Sequence, residues 1–316
     1  MSIKSGHLLH TLRGADLLGR IADCGVNVPD IIRRSASEPR EVGVMLVGSL
    51  SEGVGTDASD VDLLVLCERA SAGNDRHAAL QITASASRET LTYIDGLEVN
   101  VQTVFRRDMG QLVRSFIEIA PALYDPKLLK SIPLLDQTQL RFLHRLRTGI
   151  PMAGGDVIDR WRDELMTDLL PAYTVVANYV LYRELAEKAE AVRGRTNGTV
   201  ALVGRRAAEA AMFALLATLG FTNPSRRWIF EWYDAAHVEV DEPPLPFTIA
   251  RGAVIEALDL AAGALFPGRS MTSGEVDRYL QTVHSLDALM SDLVSGDPLL
   301  SRATAHLRTA INYVQR

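Results

Sequence analysis

Hydrophobic positions in the first third of the chain change from helical to strand-like spacing. Apolar residues recur at helical intervals over residues 7–24, and Pro29 is suited to open a short second helix. The runs Val42–Val47 and Val61–Cys67 are almost continuously apolar, which predicts two buried strands. An alternating pattern predicts a third strand over Leu97–Phe105. The pattern therefore predicts a small sheet preceded by helices.

The remainder of the chain has helical periodicity almost throughout, beginning at about residue 111. Glycine and proline residues between 149 and 155 predict a turn, and a long helical stretch follows at 158–192. Pro171 lies inside that stretch and is expected to kink or interrupt it. Further helices are predicted at 200–219, 249–265, 273–295 and 298–314.

These two patterns predict an α+β fold in two domains. Pro133 and Asp136 indicate a boundary near residue 135. Residues 1–135 are expected to form a domain with a small mixed sheet and flanking helices. Residues 136–316 are expected to form an α-helical bundle. A chain of 316 residues is long enough for two ordinary domains with a substantial core.

The composition excludes several other classes of protein. Hydrophobic residues make up 47% and charged residues 23%, as in soluble globular proteins. We find no run of about 18 uncharged apolar residues, so we predict no membrane span. The net charge of −6 disfavours general nucleic-acid binding. Cys24 and Cys67 have no zinc or disulfide spacing, and no signal peptide is recognisable, so we expect a cytoplasmic protein.

Candidate chemistry is concentrated between the first two predicted strands. Gly48 and Ser49 end the first strand, and Asp60 and Asp62 begin the second. Side chains at i and i+2 of a strand share a face, and two carboxylates held side by side call for a cation. Mg²⁺ fits, because it prefers oxygen ligands and phosphates. A glycine-serine turn suits a polyphosphate, whereas an isolated Asp-x-Asp is more often a solvated strand start.

Glu98 is the candidate for a third carboxylate. It lies between Leu97 and Val99 on the third predicted strand, so it faces away from these apolar neighbours. If that strand pairs beside the two aspartates, three carboxylates can hold two metal ions. The alternative interpretation is a surface residue of an edge strand.

The Gly-Ser turn, the Asp-x-Asp pair and the strand at 97–101 together resemble the polymerase-beta-type nucleotidyltransferase superfamily. The pattern is most similar to the aminoglycoside nucleotidyltransferases of the kanamycin type, specifically over 42–105 and more loosely over 140–220. The resemblance implies two Mg²⁺ ions and ATP or another nucleoside triphosphate as co-substrate. It assigns Asp60, Asp62 and Glu98 as metal ligands and Gly48 and Ser49 as nucleotide-binding residues.

The resemblance also implies a general base in the helical domain, with a lysine four residues later near the phosphates. Glu184 and Lys188 have this spacing, which places them on one helix face. A glutamate can accept the hydroxyl proton and a lysine can neutralise phosphate charge. The alternative is an ordinary exposed i,i+4 ion pair. Glu187 and Glu164 are rival candidates for the base.

Three arginines have less specific interpretations. Arg106 and Arg107 follow the third predicted strand, where they either contact phosphate or are solvated. Arg205 begins an apolar helix and is expected to pair with a core carboxylate such as Glu209.

The expected activity is transfer of a nucleoside monophosphate, AMP from ATP, onto a hydroxyl of a small molecule with release of pyrophosphate. By the resemblance, the acceptor is an aminoglycoside, as in antibiotic resistance, or a natural product, and the enzyme is expected to be a homodimer. One alternative is an AMP-adding antitoxin that modifies a protein, although such antitoxins are usually much shorter. The other is a nucleotide-sensing module without catalysis, against which the intact carboxylate set argues.

Overall fold

The computed structural model describes residues 14–35, 41–56, 59–68, 87–94, 97–106, 135–193, 197–218 and 220–225, with a few positions between 229 and 281. The chain divides into two compact units. The first comprises Met1–Glu118 and Leu135–Asp168, and the second comprises Ile119–Leu134 and Leu169–Arg316. The first unit contains a mixed sheet with helices, and the described core of the second is helical, so the fold is α+β.

A five-stranded sheet forms the centre of the first unit. Its strands are β1 (Val42–Val47), β2 (Val61–Cys67), β3 (Ser87–Ile94), β4 (Leu97–Phe105) and β5 (Ile150–Ala153). Their order in the sheet is β3-β4-β2-β1-β5. Strands β2 and β4 are parallel, and every other neighbouring pair is antiparallel. The predictions for β1, β2 and β4 are confirmed, because each strand has the bounds that its apolar pattern indicated.

The two outer strands were not predicted from sequence. Strand β3 is an edge strand that exposes Leu91 and Tyr93, so it has no continuous apolar signal. The turn predicted between 149 and 155 is wrong at its centre, where β5 pairs with β1. Pro151 lies opposite Met45 in that pairing. Proline is tolerated there because β5 is also an edge strand.

Helices flank the sheet and make up the described core of the second unit. They are α1 (Gly14–Asp23), α2 (Val28–Ser35), α3 (Ser49–Glu52), α4 (Gln137–Thr148), α5 (Gly155–Glu164), α6 (Leu170–Ala191) and α7 (Asn197–Thr218). The long stretch predicted at 158–192 is interrupted as expected, because a short 3-10 turn separates α5 from α6. Pro171 lies in the first turn of α6, where its missing N–H costs nothing.

Other predictions concern residues that the structure describes only in part. The helices predicted at 249–265 and 298–314 lie outside the described residues, as does most of 273–295. In the described part of the chain, none of the helices has the length and hydropathy that a membrane span requires. Cys24 and Cys67 are both buried thiols, as the apolar context of Cys67 predicted.

Strand alternation gives the sheet two different faces. Leu46, Leu63 and Val99 point to one face and pack with Leu17 and Ile21 of α1 in a buried apolar cluster. The residues between them in sequence point to the opposite face, which α4 and α5 cover in part. There, Gly43 lies against Ile158 of α5, and Gly149 lies against the side chains of Met45 and Val47.

The division into units differs from the boundary predicted near residue 135. Strand β5 pairs with β1, and α5 packs on β1, so residues up to Asp168 belong to the sheet-containing unit. In the second unit, Val175 of α6 packs with Ala217 of α7. The predicted pairing of Arg205 with Glu209 is confirmed, with Nε donating to Oε1 at 3.1 Å.

Candidate functional site

Two aspartates lie at the start of β2 on the face opposite the apolar cluster. Val61 and Leu63 are fully buried in that cluster, so the alternation directs Asp60 and Asp62 to the other side. Asp62 is paired with Val47, the last residue of β1. Its side chain is 14% exposed, so its carboxylate is reachable from solvent at the edge of the packed region. The local sequence pattern therefore predicts the placement of this pair correctly.

Gly48 lies directly against the Asp62 carboxylate. Its φ of 81° and ψ of −164° fall in a region that only glycine adopts without strain. A Cβ atom added there would be 2.3 Å from Asp62 Oδ2. The turn after β1 therefore requires glycine for two reasons, its backbone conformation and its close approach to the carboxylate.

Hydroxyl groups connect this turn to the segment that leads into β2. Ser51 Oγ donates to the carbonyl of Gly48 at 2.8 Å, which closes the first turn of α3. Ser49 Oγ donates to Ser59 Oγ at 3.3 Å, and Ser59 Oγ also accepts from the backbone N–H of Thr56 at 2.8 Å. The Gly-Ser turn and the approach to the aspartates are consequently held as one structural piece.

Glu98 is brought beside the aspartates by the parallel pairing of β2 and β4. Val61 lies opposite Val99 in that pairing, so Glu98 is the neighbour of Asp60 on the same face. On its other side, Glu98 accepts a hydrogen bond from Tyr93 Oη at 3.0 Å. That hydrogen bond and the charge of Glu98 raise the pKa of Tyr93. The parallel pairing therefore places Glu98 beside the aspartates, as its candidacy for a third carboxylate requires.

The three carboxylates share a face but do not converge into a cage. Among the residues that the structure describes, no three histidine, cysteine, aspartate or glutamate side chains are close enough to hold a metal ion together. Mg²⁺, however, commonly takes one or two protein carboxylates and completes its shell with water and substrate phosphates. Asp60 and Asp62 fit a cation held in that way, with Glu98 on the adjacent strand.

Arg145 of α4 is a site residue that the sequence analysis did not identify. Its Nη2 is 3.4 Å from Asp62 Oδ1, and its Nη1 donates to Gln102 Oε1 at 2.9 Å. Only 17% of its side chain is exposed. A cation at this distance offsets part of the repulsion between the two aspartates. No local motif marks Arg145, because its contacts are with strands that lie about 40 or more positions earlier in the chain.

A buried polar pair lies close to Arg145 and connects α3 with α4. Glu52, at the end of α3, has its Oε1 3.0 Å from His144 Nε2, and both side chains are 4% exposed. This contact links the end of α3 to α4. His144 directly precedes Arg145, so the pair also restrains the helix turn that carries the arginine.

A second charged cluster lies at the opposite end of the sheet. Arg106 donates to Glu68 Oε2 at 2.6 Å and also pairs with Glu164, while Trp161 Nε1 donates to Glu68 Oε1 at 2.9 Å. Burial raises the pKa of Glu68, but these hydrogen bonds and the nearby arginine charges outweigh it and lower that pKa overall. Arg106 and Glu98 lie near opposite ends of β4, about 26 Å apart at roughly 3.3 Å per residue.

That distance removes two candidates from the carboxylate site. Arg106 is engaged by two carboxylates at the far end of the sheet and is not placed to contact phosphate beside Asp62. Glu164 is its partner there and is not placed to act as the general base. Arg107 lies outside the described residues.

Glu184 and Lys188 form an ion pair on α6, in the second unit. Their side chains are 56% and 60% exposed, so the pair has the form of an ordinary surface i,i+4 contact. Glu187 is likewise exposed and lies 4.0 Å from Arg183 Nη2. The roles of general base and phosphate-binding lysine therefore stay predictions.

Comparison with known proteins adds little to this geometry. No family model matches the chain, and no curated protein sequence matches it. Among solved structures, the chain is similar to a nucleotidyltransferase-like protein from Exiguobacterium sibiricum 255-15, with 10% sequence identity, 86% of this chain and 83% of that chain covered, and a TM-score of 0.39. A likeness at that score carries no argument about function.

Proposed function

We propose that the protein is a metal-dependent nucleotidyltransferase. The reaction transfers a nucleoside monophosphate, AMP from ATP, to a hydroxyl of a small molecule. The observation that supports it is the contact of Gly48 with the Asp62 carboxylate, beside Asp60 and Glu98 on one sheet face. A glycine turn that can bind phosphate is thereby next to carboxylates that can bind a cation, which is the combination that nucleotide chemistry requires.

Each group has a separate task in this proposal. Asp60 and Asp62 would hold Mg²⁺, and Glu98 would add a ligand for a second ion only if it moved closer to them, because the three carboxylates do not converge among the described residues. The bound metal supplies Lewis acidity and neutralises phosphate charge. Ser49 and the turn after Gly48 hold the nucleotide phosphates by hydroxyl and N–H donors.

The proposed reaction is an in-line displacement at the α-phosphorus. The acceptor oxygen forms a bond to the α-phosphorus, and the bond from that phosphorus to the bridging oxygen breaks in line, so pyrophosphate leaves. By the family resemblance, Glu184 would take the hydroxyl proton and Lys188 would neutralise phosphate charge.

The acceptor that we propose first is an aminoglycoside or a related polycationic natural product. The net charge of −6 is compatible with a cationic acceptor. A homodimer and a cytoplasmic location complete the proposal, and the two buried thiols agree with a reducing compartment. Incubation with labelled ATP, Mg²⁺ and a panel of aminoglycosides tests the acceptor, and no transfer to any of them would redirect the search to other hydroxyl compounds or to protein targets.

Binding of a non-hydrolysable ATP analogue, measured by calorimetry with and without Mg²⁺, tests the function itself. We expect the Mg²⁺-dependent part of binding to weaken at least about tenfold in Asp62→Asn, because loss of a group that only orients a metal ligand already costs about 10–100-fold in metal affinity. Asp159→Asn is the matched control, because it makes the same chemical change at a side chain of α5 that is 71% exposed. Analogue binding that depends on neither Mg²⁺ nor Asp62 would contradict the proposed function.

A further inference from the structure

Arg145 contacts the aspartate pair in a way that differs from a saturated ion pair. Its Nη2 is 3.4 Å from Asp62 Oδ1, whereas arginine and carboxylate groups that are fully engaged are often joined by two hydrogen bonds of about 2.7–2.9 Å. Its shorter contact, from Nη1 at 2.9 Å, is with the neutral amide oxygen of Gln102. Gln102 therefore anchors the guanidinium, and Asp62 engages it only loosely.

The end of α4 does not require Arg145 as a cap. Arg145 lies in the last turn of this helix, where arginine side chains commonly bind carbonyl groups that the helix leaves free. Arg162 of α5 has that task here, because its Nε donates to Leu146 O and its Nη2 to Gly149 O, each at 2.9 Å. Arg145 is directed to the sheet instead, where it contacts β2 and β4.

The guanidinium of Arg145 retains donors for a further partner. Arginine has five N–H donors in a planar fork, a geometry that matches the oxygens of a phosphate group. Among the residues that the structure describes, its side chain has polar contacts with Gln102 and Asp62, which leave part of the fork unused. With 17% of the side chain exposed, the arginine is anchored but can still be reached from solvent.

The Asp62 carboxylate stands between this arginine and the glycine turn. Gly48 closely approaches Oδ2, and Arg145 Nη2 lies nearest to Oδ1. The turn provides backbone N–H donors of the kind that bind phosphate, and the guanidinium adds a full positive charge on the other side of the same carboxylate. Two groups suited to an anion therefore flank one aspartate.

We propose that Arg145 binds a phosphate group of the nucleotide beside Asp62. This inference rests on the proposed function, because it requires a nucleoside triphosphate at this site. Gln102 is the positioning residue that holds the guanidinium, and the loose contact with Asp62 keeps Arg145 at the site when no nucleotide is bound.

A merely structural ion pair predicts a different response to loss of the arginine. If Arg145 only kept Asp62 in place, its removal would weaken binding of a divalent cation and of the nucleotide together. If Arg145 binds phosphate, its removal weakens nucleotide binding alone. The affinity for a divalent cation should then stay the same or rise, because a positive charge near the carboxylates has been removed.

The test compares two ligands on the full chain of Arg145→Gln. Calorimetry with the non-hydrolysable ATP analogue at saturating Mg²⁺ should show binding about tenfold or more weaker than wild type, since a hydrogen bond to a charged group is lost. Electron paramagnetic resonance with Mn²⁺ alone should show affinity at least equal to that of wild type. Circular dichroism and unfolding in urea verify that the variant is folded.

Two further variants make the comparison specific. Arg160→Gln is the matched control, because Arg160 Nη1 lies 3.5 Å from Glu68 Oε1 at the far end of the sheet, and it should bind both ligands as wild type does. Arg145→Lys keeps the charge without the planar fork, so its affinity for the analogue should lie between those of wild type and Arg145→Gln. If Arg145→Gln does not fold, Arg145→Lys takes its place, with weaker analogue binding and unchanged Mn²⁺ affinity expected.

The outcomes separate this inference from the proposed function. Wild-type affinity of Arg145→Gln for the analogue, weaker binding of both ligands, or an equal loss in Arg160→Gln would overturn the phosphate-binding role while the proposed function stands. Failure of the wild-type chain to bind the analogue in the presence of Mg²⁺ would overturn the proposed function, and this role with it.

Discussion

Replacement of Gly48 by alanine perturbs the site through a single methyl group. The backbone at Gly48 has a φ of 81° and a ψ of −164°, and the new Cβ would be 2.3 Å from Asp62 Oδ2. The variant must either distort the turn after β1 or turn the Asp62 carboxylate away from it. Both responses change the position of Asp62 relative to Asp60, so stability and cation binding should fall together.

The size of the effect follows from two contributions. A side chain in this region of backbone conformation costs about 1–3 kcal/mol, and forcing an extra methyl into packed surroundings costs about another 1–3 kcal/mol. Domains of this size are typically stable by about 5–15 kcal/mol, so Gly48→Ala should still be folded under native conditions. Its unfolding midpoint in urea should shift clearly below that of wild type.

Gly43→Ala is the control that separates stability from function. Its new Cβ would meet Ile158 Cγ1 at 2.7 Å, so this variant is also overpacked, but the contact lies between β1 and α5 and involves no carboxylate. We expect both variants to lose stability in urea, and only Gly48→Ala to lose Mg²⁺-dependent binding of the ATP analogue. If Gly48→Ala is as stable as wild type, or binds the analogue as well as Gly43→Ala does, the role assigned to the close approach is wrong.

Two further predictions concern groups outside the site. Because folding lowers the pKa of Glu68, the ionised carboxylate stabilises the protein fully above the ordinary pKa of 4.5, and this stabilisation is lost as pH falls through the pKa in the folded protein. Urea titrations should therefore show the largest difference in unfolding free energy between wild type and Glu68→Gln near pH 7, and a smaller one toward pH 3. A difference that does not change with pH would contradict this assignment. Burial raises the pKa of the Cys67 thiol to about 12, so Cys67 should not react with Ellman's reagent in the native protein at pH 8. It should react once guanidinium chloride has unfolded the chain. Rapid labelling of the native protein that is lost in a Cys67→Ala control would show instead that the strand is accessible.

Sequence patterns predict the centre of the sheet well and its edges poorly. Strands β1 and β2 are buried on both faces and carry continuous apolar runs, and β4 has a recognisable alternation. Edge strands β3 and β5 lack that signal, since one exposes Leu91 and Tyr93 and the other contains Pro151. The pattern of burial that makes a strand visible in sequence is absent where a strand has only one neighbour.

The site shows the same division between local and tertiary information. Asp60 and Asp62 could be placed on one face from strand alternation alone, and Gly48 from its position after a buried strand. Arg145 and Tyr93 could not, because each reaches the site through pairing or packing with another segment of chain. Residues that carry the proposed chemistry can thus be predicted from local sequence, whereas residues that contact them from other segments are identified only from the fold.

The core packing of β2 and β4 determines how the carboxylates are placed relative to one another. Val61 and Val99 are both fully buried and lie opposite each other, which fixes Glu98 beside Asp60. A slip of one residue in β4 would put Glu98 into the apolar cluster and Val99 into solvent, so burial of the apolar face strongly specifies this register. The register that buries these valines is therefore also the register that sets the relative positions of the carboxylates.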